Sequence, residues 1–118
     1  MNKTYIIAEV GPNHQGSIKI ACDYIKKLSN IGVNAVKFQI GIADEHYSDD
    51  AFKPNYQKKK SEKKLSIKDL AKKRLLNLKD HIKLHKTCDK YNVDYLCSAF
   101  DLKSLKFLYK NTSFNYYK

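Results

Sequence analysis

Three short β-prone runs, separated by segments of helical periodicity, constrain this chain more than any other feature. Thr4 to Val10 is apolar and stops at the strong punctuator Gly11-Pro12, Asn34 to Gln39 is a second such run, and Val93 to Ser98 is a third. The first two lie about 30 residues apart, the length of a βαβ unit. Between them Ser17 has the chemistry of an N-cap, and Ile18, Ala21, Cys22, Ile25, Leu28 and Ile31 recur at helical spacing before Gly32 closes the helix. A second helical stretch runs from about Ile67 to Tyr91, with Leu75, Leu78, Ile82 and Cys88 on one side. Leu102, Leu105, Phe107 and Leu108 suit one more short helix, and Phe114 to Lys118 reads as the start of a fourth strand. The order β-α-β-α-β-α-β predicts parallel strands joined by right-handed helical crossovers. Residues 41–66 interrupt it as a long loop of little periodicity, which in a compact domain is usually functional or disordered.

Ligands of parallel α/β folds bind beyond the C-terminal ends of the strands. The polar residues there are Glu9, Lys37 with Gln39, Ser98, and Lys118 on the incipient fourth strand. Lys37 is the most informative, because an ammonium between Val36 and Phe38 is costly unless something anionic meets it. Two partners fit: the Glu9 carboxylate on the neighbouring strand, or the carboxylate or phosphate of a ligand. The loop Gly11-Pro12-Asn13-His14-Gln15-Gly16 feeds a helix N-terminus, where free N–H groups favour anions, although an ordinary capped turn has the same sequence signature. His81 and His85 stand at i, i+4, a spacing able to hold a metal, but no Glu lies between them and no third ligand is in view, so no metal site is assigned.

The net charge of +11 raises the question of a nucleic-acid partner. Only Arg74 of the 23 basic residues is arginine, so the guanidinium forks suited to bases and phosphates are nearly missing and nucleic acid is not the expected partner. The excess is local: residues 53–74 hold ten cations against Glu62 and Asp69. A polyanion-binding arm on a degenerate scaffold is the competing reading of that stretch. The odd set Cys22, Cys88 and Cys97 lies in apolar patterns without CxxC spacing, as expected of buried, reduced thiols. No apolar run approaches the roughly 20 residues that span a bilayer, and the start lacks a signal-peptide layout, so a cytoplasmic protein with no membrane partner is expected.

Taken together, these segments resemble the sialic acid synthase family, the N-acetylneuraminate, legionaminate and pseudaminate synthases. Ile6 to Gly16 is similar to the family's IAEIGxNHxG opening, Ala35 to Gln39 to its AVKFQ strand, Pro54 to Lys58 to a YQ-containing loop, Leu96 to Leu102 to its STPFD segment, and Tyr117-Lys118 to the beginning of YKIASGE. The resemblance implies an α/β fold, an eight-stranded (β/α) TIM barrel of about 250 residues followed by a small antifreeze-like domain, usually in a swapped homodimer. Residues 1–118 would then be an N-terminal fragment, the first three to four βα units without the antifreeze-like domain, not expected to catalyse alone. The implied reaction joins C3 of phosphoenolpyruvate to the aldehyde of an N-acylated amino sugar while water attacks C2 and phosphate leaves. A divalent manganese or magnesium ion polarises the aldehyde, and its ligands in the family match none of the four histidines here. By position, Glu9 and Lys37 would be catalytic, Glu9 facing the sugar and Lys37 with Ser98 the phosphoenolpyruvate carboxylate. Asn13, His14 and Gln39 would bind substrate, Phe100 would line the pocket, and Lys118 would meet the phosphate. Departures are Gln15 for Asn or Glu, Ser98-Ala99 for Thr-Pro, and the absence of IASGE after Lys118. An aldolase-like barrel acting on sugar phosphates fits the strand-end lysines but fits the Asn13-His14 loop poorly.

Overall fold

β-Branched and aromatic residues at alternate positions make Ala35–Ile40 a strand, β2, and its parity decides the layout of the molecule. The computed structural model describes residues 3–51, 65–116 and 118. Val36, Phe38 and Ile40 are wholly buried against helices, whereas Lys37 and Gln39, on the other face, are only half-buried. On either side of β2 run β1 (Ile7–Glu9) and β3 (Asp94–Ala99), both parallel to it, giving the order β1-β2-β3. Register pairs Glu9 with Lys37 and Gln39 with Ser98.

The helices close one face of this sheet. α1 (Ile18–Asn30) is capped by the Ser17 hydroxyl, which accepts from the Ile20 N–H, and it buries Ala21 and Ile25. α4 (Leu78–Lys90) contributes Leu84 and Cys88, and α5 (Leu102–Asn111) contributes Leu108, to a core shared with Val36, Phe38, Tyr95 and Cys97. The three cysteines are free, Cys88 and Cys97 buried and Cys22 half-buried. Burial pushes the Cys88 and Cys97 thiols up to about 12, so they pack as small apolar groups. Among the described residues no helix is long and apolar enough to cross a membrane.

Four expectations are corrected. β1 is shorter than Thr4 to Val10, because Ile6 leaves the ladder: its N–H donates to the Asn34 side chain and its carbonyl accepts from the N–H groups of Asn34 and Ala35. The helical stretch from Ile67 to Tyr91 is two helices. α3 (Ile67–Arg74) ends where Leu75 turns extended, and Asn77 caps α4 by accepting the Asp80 N–H at 3.0 Å, which drops Leu76 into the core. The loop 41–66 contains a short helix, α2 (Ala43–His46), while residues 52–64, including the YQ segment and most of the lysine run, lie outside the described residues. Finally, the described residues of 114–118 form no strand. Side chains anchor this segment instead: Phe114 stacks on Tyr95, Tyr116 meets the Tyr5 ring edge, and the Asn115 amide donates to Asp94.

Candidate functional site

Parallel pairing puts Glu9, Lys37, Gln39 and Ser98 on one face of the sheet, the mouth side, and the segment after α5 brings Lys118 near Lys37. Lys37 Nζ donates to Glu9 Oε2 across the β1–β2 pair, with 15% of the lysine side chain exposed against 44% of the glutamate. The carboxylate therefore faces solvent more than the ammonium it neutralises. Gln39 and Ser98 form the next row of the same face. Lys118 lies near enough to Lys37 for their charges to oppose each other. A recess of about 480 Å³, lined by Tyr5, Ile7, Lys37, Leu96, Tyr116 and Lys118, separates apolar walls from these two ammonium groups. Burial first, and the Lys118 charge second, hold Lys37 below the ordinary lysine value even with Glu9 beside it. With Lys37 largely buried and Lys118 exposed beside it, this spot offers an entering anion a second cation besides the one Glu9 holds.

Gly11 makes room for this convergence. Its φ is +51°, a region L side chains rarely adopt, and a Cβ there would stand 3.2 Å from Glu9 Oε1 and 3.4 Å from Gln39 Nε2. Asn13 is exposed on the same loop, with its amide turned back to donate to the Val10 carbonyl at 2.8 Å. His14 departs from the cluster: it is 2% exposed, its ring lies 6.3 Å from Phe38 on the helix side of the sheet, and its Nδ1 accepts the Gly16 N–H at 3.1 Å. Phe100 sits at the rim, exposed, with its ring 4.8 Å from that of His46.

Sequence reasoning missed Asp101. Its Oδ1 accepts the Ser104 N–H at 2.7 Å, capping α5, while its Oδ2 accepts the Ile42 N–H at 2.8 Å and the Ser104 hydroxyl at 2.8 Å. One carboxylate thus ties the loop after β2 to the loop after β3. Burial opposes its charge, but the hydrogen bonds from Ser104, Ile42 and Lys103 outweigh that and hold the group below the ordinary carboxylate value. An Asp directly before the helical pattern at Leu102 is the N-cap signal that would have found it.

The described residues contain no group of three or more His, Cys, Asp or Glu placed to hold a metal ion. His81 and His85 diverge. His81 is fully buried with Nδ1 2.8 Å from the Tyr95 hydroxyl, and His85 donates through Nε2 to the Ser113 carbonyl. Part of the basic excess is neutralised within the fold, since Lys68 pairs with Asp49 and Asp44, and Lys72 pairs with Asp44.

Against this geometry, the model of the NeuB family matches residues 24–118. The chain belongs to the NeuB family. Over 108 residues it is 37% identical to the N,N'-diacetyllegionaminic acid synthase of Campylobacter jejuni, an overlap covering 92% of this chain and 32% of that one. With the N-acetylneuraminate-9-phosphate synthase of Drosophila melanogaster it shares 33% identity, over 92% of this chain and 29% of the relative. Among solved structures, the N-acetylneuraminic acid synthetase of Leptospira borgpetersenii superposes with a TM-score of 0.75 at 26% identity, covering 92% of this chain and 33% of that one. The chain therefore spans about a third of the length of the NeuB-family relatives it matches, aligned with their N-terminal part. Its three parallel strands and their helices are the corresponding part of the sialic acid synthase barrel.

Proposed function

We propose that this chain supplies the N-terminal part of the active site of a synthase that condenses phosphoenolpyruvate with an N-acylated amino sugar to a nonulosonic acid. The observation that carries the reading is the placement of Lys37, a largely buried ammonium within β2 opposite Glu9 at the end of β1, with Gln39, Ser98 and a second lysine on the same side. Phosphoenolpyruvate bears a carboxylate at one end and a phosphate at the other. Lys37 and the Ser98 hydroxyl suit the carboxylate, and Lys118 suits the phosphate. Taking a ligand carboxylate, Lys37 would release Glu9, whose oxygens then accept from sugar hydroxyls beside the Gln39 amide. The two cations offset charge as it moves from the enol phosphate toward departing phosphate while C3 bonds to the aldehyde carbon and water adds at C2. Asn13 at the loop and Phe100 at the rim would border the sugar. His14 would serve that loop from beneath.

The divalent ion implied by the resemblance would polarise the sugar aldehyde in the intact enzyme. The described residues do not fit it, as no three of them converge as ligands, and no step here runs through it. The same reading makes the intact enzyme a homodimer.

Titration calorimetry of phosphoenolpyruvate into the 118-residue chain tests this reading. Saturable binding should weaken at least tenfold in Lys37→Met with the circular dichroism spectrum kept. A folded chain indifferent to phosphoenolpyruvate sinks it. Adding N-acylated amino sugars and, separately, sugar phosphates distinguishes the synthase from an aldolase-like barrel. Affinity for RNA that falls steeply with salt and disappears when residues 58–64 are neutralised would favour the polyanion arm instead.

A further inference from the structure

Beneath the mouth, on the helix side of the sheet, two imidazoles are buried with no carboxylate paired to them among the described residues. His14 from the β1–α1 loop and His81 from α4 are 2% and 0% exposed, and His81 Nε2 meets no hydrogen-bond partner among the described residues. Because the Gly16 N–H donates to His14 Nδ1, the neutral ring must carry its proton on Nε2. That bond supports a sharp backbone turn, since Gln15 and Gly16 both have positive φ, +51° and +78°. The turn also bears α3: a Cβ on Gly16 would lie 2.4 Å from the Lys73 carbonyl oxygen. His14 thus stands at one junction of the site loop, the core and the helix that follows the basic segment.

We propose that His14 is a positioning residue: held neutral with Nδ1 on the Gly16 N–H, it pins the β1–α1 loop to the helix-side core, and its protonation releases that loop together with the end of α3 resting on it. An imidazolium has no acceptor left at Nδ1, so the Gly16 bond breaks on protonation. The surroundings give an imidazolium little support. Tyr95 and Cys97 of β3 flank His81, His85 lies one turn along α4 against the Tyr95 ring, Lys37 is on the opposite face of the sheet, and the Lys73 and Arg74 backbone lies over Gly16. None of these named groups is a carboxylate. Burial lowers His14 from the ordinary value, and burial with the nearby His14 charge lowers His81 to about 4, so protonating either ring disfavours the other. The inference does not depend on which ligand the mouth takes.

The test is nuclear magnetic resonance on the full chain between pH 7.5 and 4.5, reading imidazole nitrogens and the protection factor of the Gly16 amide, with Val36 and Leu84 amides reporting the core. Expected are an Nε2–H tautomer for His14, titration below 6.5, and at least a tenfold loss of Gly16 protection with the same midpoint while the core amides stay protected. In His14→Asn the side-chain oxygen replaces Nδ1 as acceptor, so protection should persist and lose its pH dependence. His14→Phe, which removes the acceptor, should lack it throughout. An Nδ1–H tautomer, Gly16 protection that ignores His14 titration, or His14→Asn behaving like His14→Phe overturns the proposal.

Discussion

The two faces of β2 differ in what completes them. Toward the helices, Val36, Phe38 and Ile40 are wholly buried and closed over by residues of α1, α4 and α5. On the other face, Lys37 lines a recess bordered by Ile7 and Tyr116, themselves 49% and 52% exposed, and Gln39 is half-buried beside Pro12 and Tyr47. Residues one position apart therefore serve different ends. The helix-side row holds the fold together, and the mouth-side row concentrates charge where little covers it. Stability and binding should respond to different rows, and that separation can be attacked experimentally.

The largest effect is expected on the helix side. Phe38→Ala should cost about 3–5 kcal/mol in urea unfolding, because a wholly buried ring leaves a cavity among Tyr95, His14 and the helices; a cost under about 1 kcal/mol would erase the contrast. Next comes acid. His81 titrates at about 4 when folded against 6.5 when free, so the unfolded chain takes up its proton first. Its contribution is complete above 6.5 and drains as pH falls from 6.5 to about 4, roughly 3 kcal/mol in all. Unfolding midpoints at pH 7 and 4.5 should show this decline, and His81→Phe should flatten it. Asp101→Ala removes the α5 cap and the tie to Ile42 and should cost about 1–2 kcal/mol by the same assay. On the mouth side, Lys37→Met should shift stability by less than about 1 kcal/mol, since the abandoned Glu9 is half open to water, while anion binding is lost. Ile7→Ser should shift the unfolding curve by less than about 0.5 kcal/mol, because that side chain is half open to water. Were the mouth-side changes to destabilise as much as Phe38→Ala, the two rows would not be separable.

Much of this layout was legible in the chain. Apolar runs ending at Gly11-Pro12 and around Gln39 and Ser98 announced the three strands, and Lys37 stood out as an ammonium between Val36 and Phe38 that needs an anion. Ser17 as a cap was equally readable, since its hydroxyl acts within three residues. The break at Leu75 to Asn77 was not: α3 and α4 continue one apolar spacing, and a side-chain cap competes with an interior helical turn on nearly even terms. His14 was placed among the substrate residues from its neighbourhood in a motif, yet its ring turned under the sheet, a direction set by the positive-φ turn at Gln15 and Gly16.

What the amino-acid order determined by itself was local: three β-prone runs, the cap at Ser17, and that an ammonium at position 37 needs an anion. The tertiary structure alone decided which anion and which neighbours, because the Glu9–Lys37 pair, the Asp101 tie and the electrostatic influence of His14 on His81 join residues 28, 59 and 67 positions apart. Such pairings depend on the register of parallel strands and the seating of helices, which are set by the packing of the whole core rather than by any short segment.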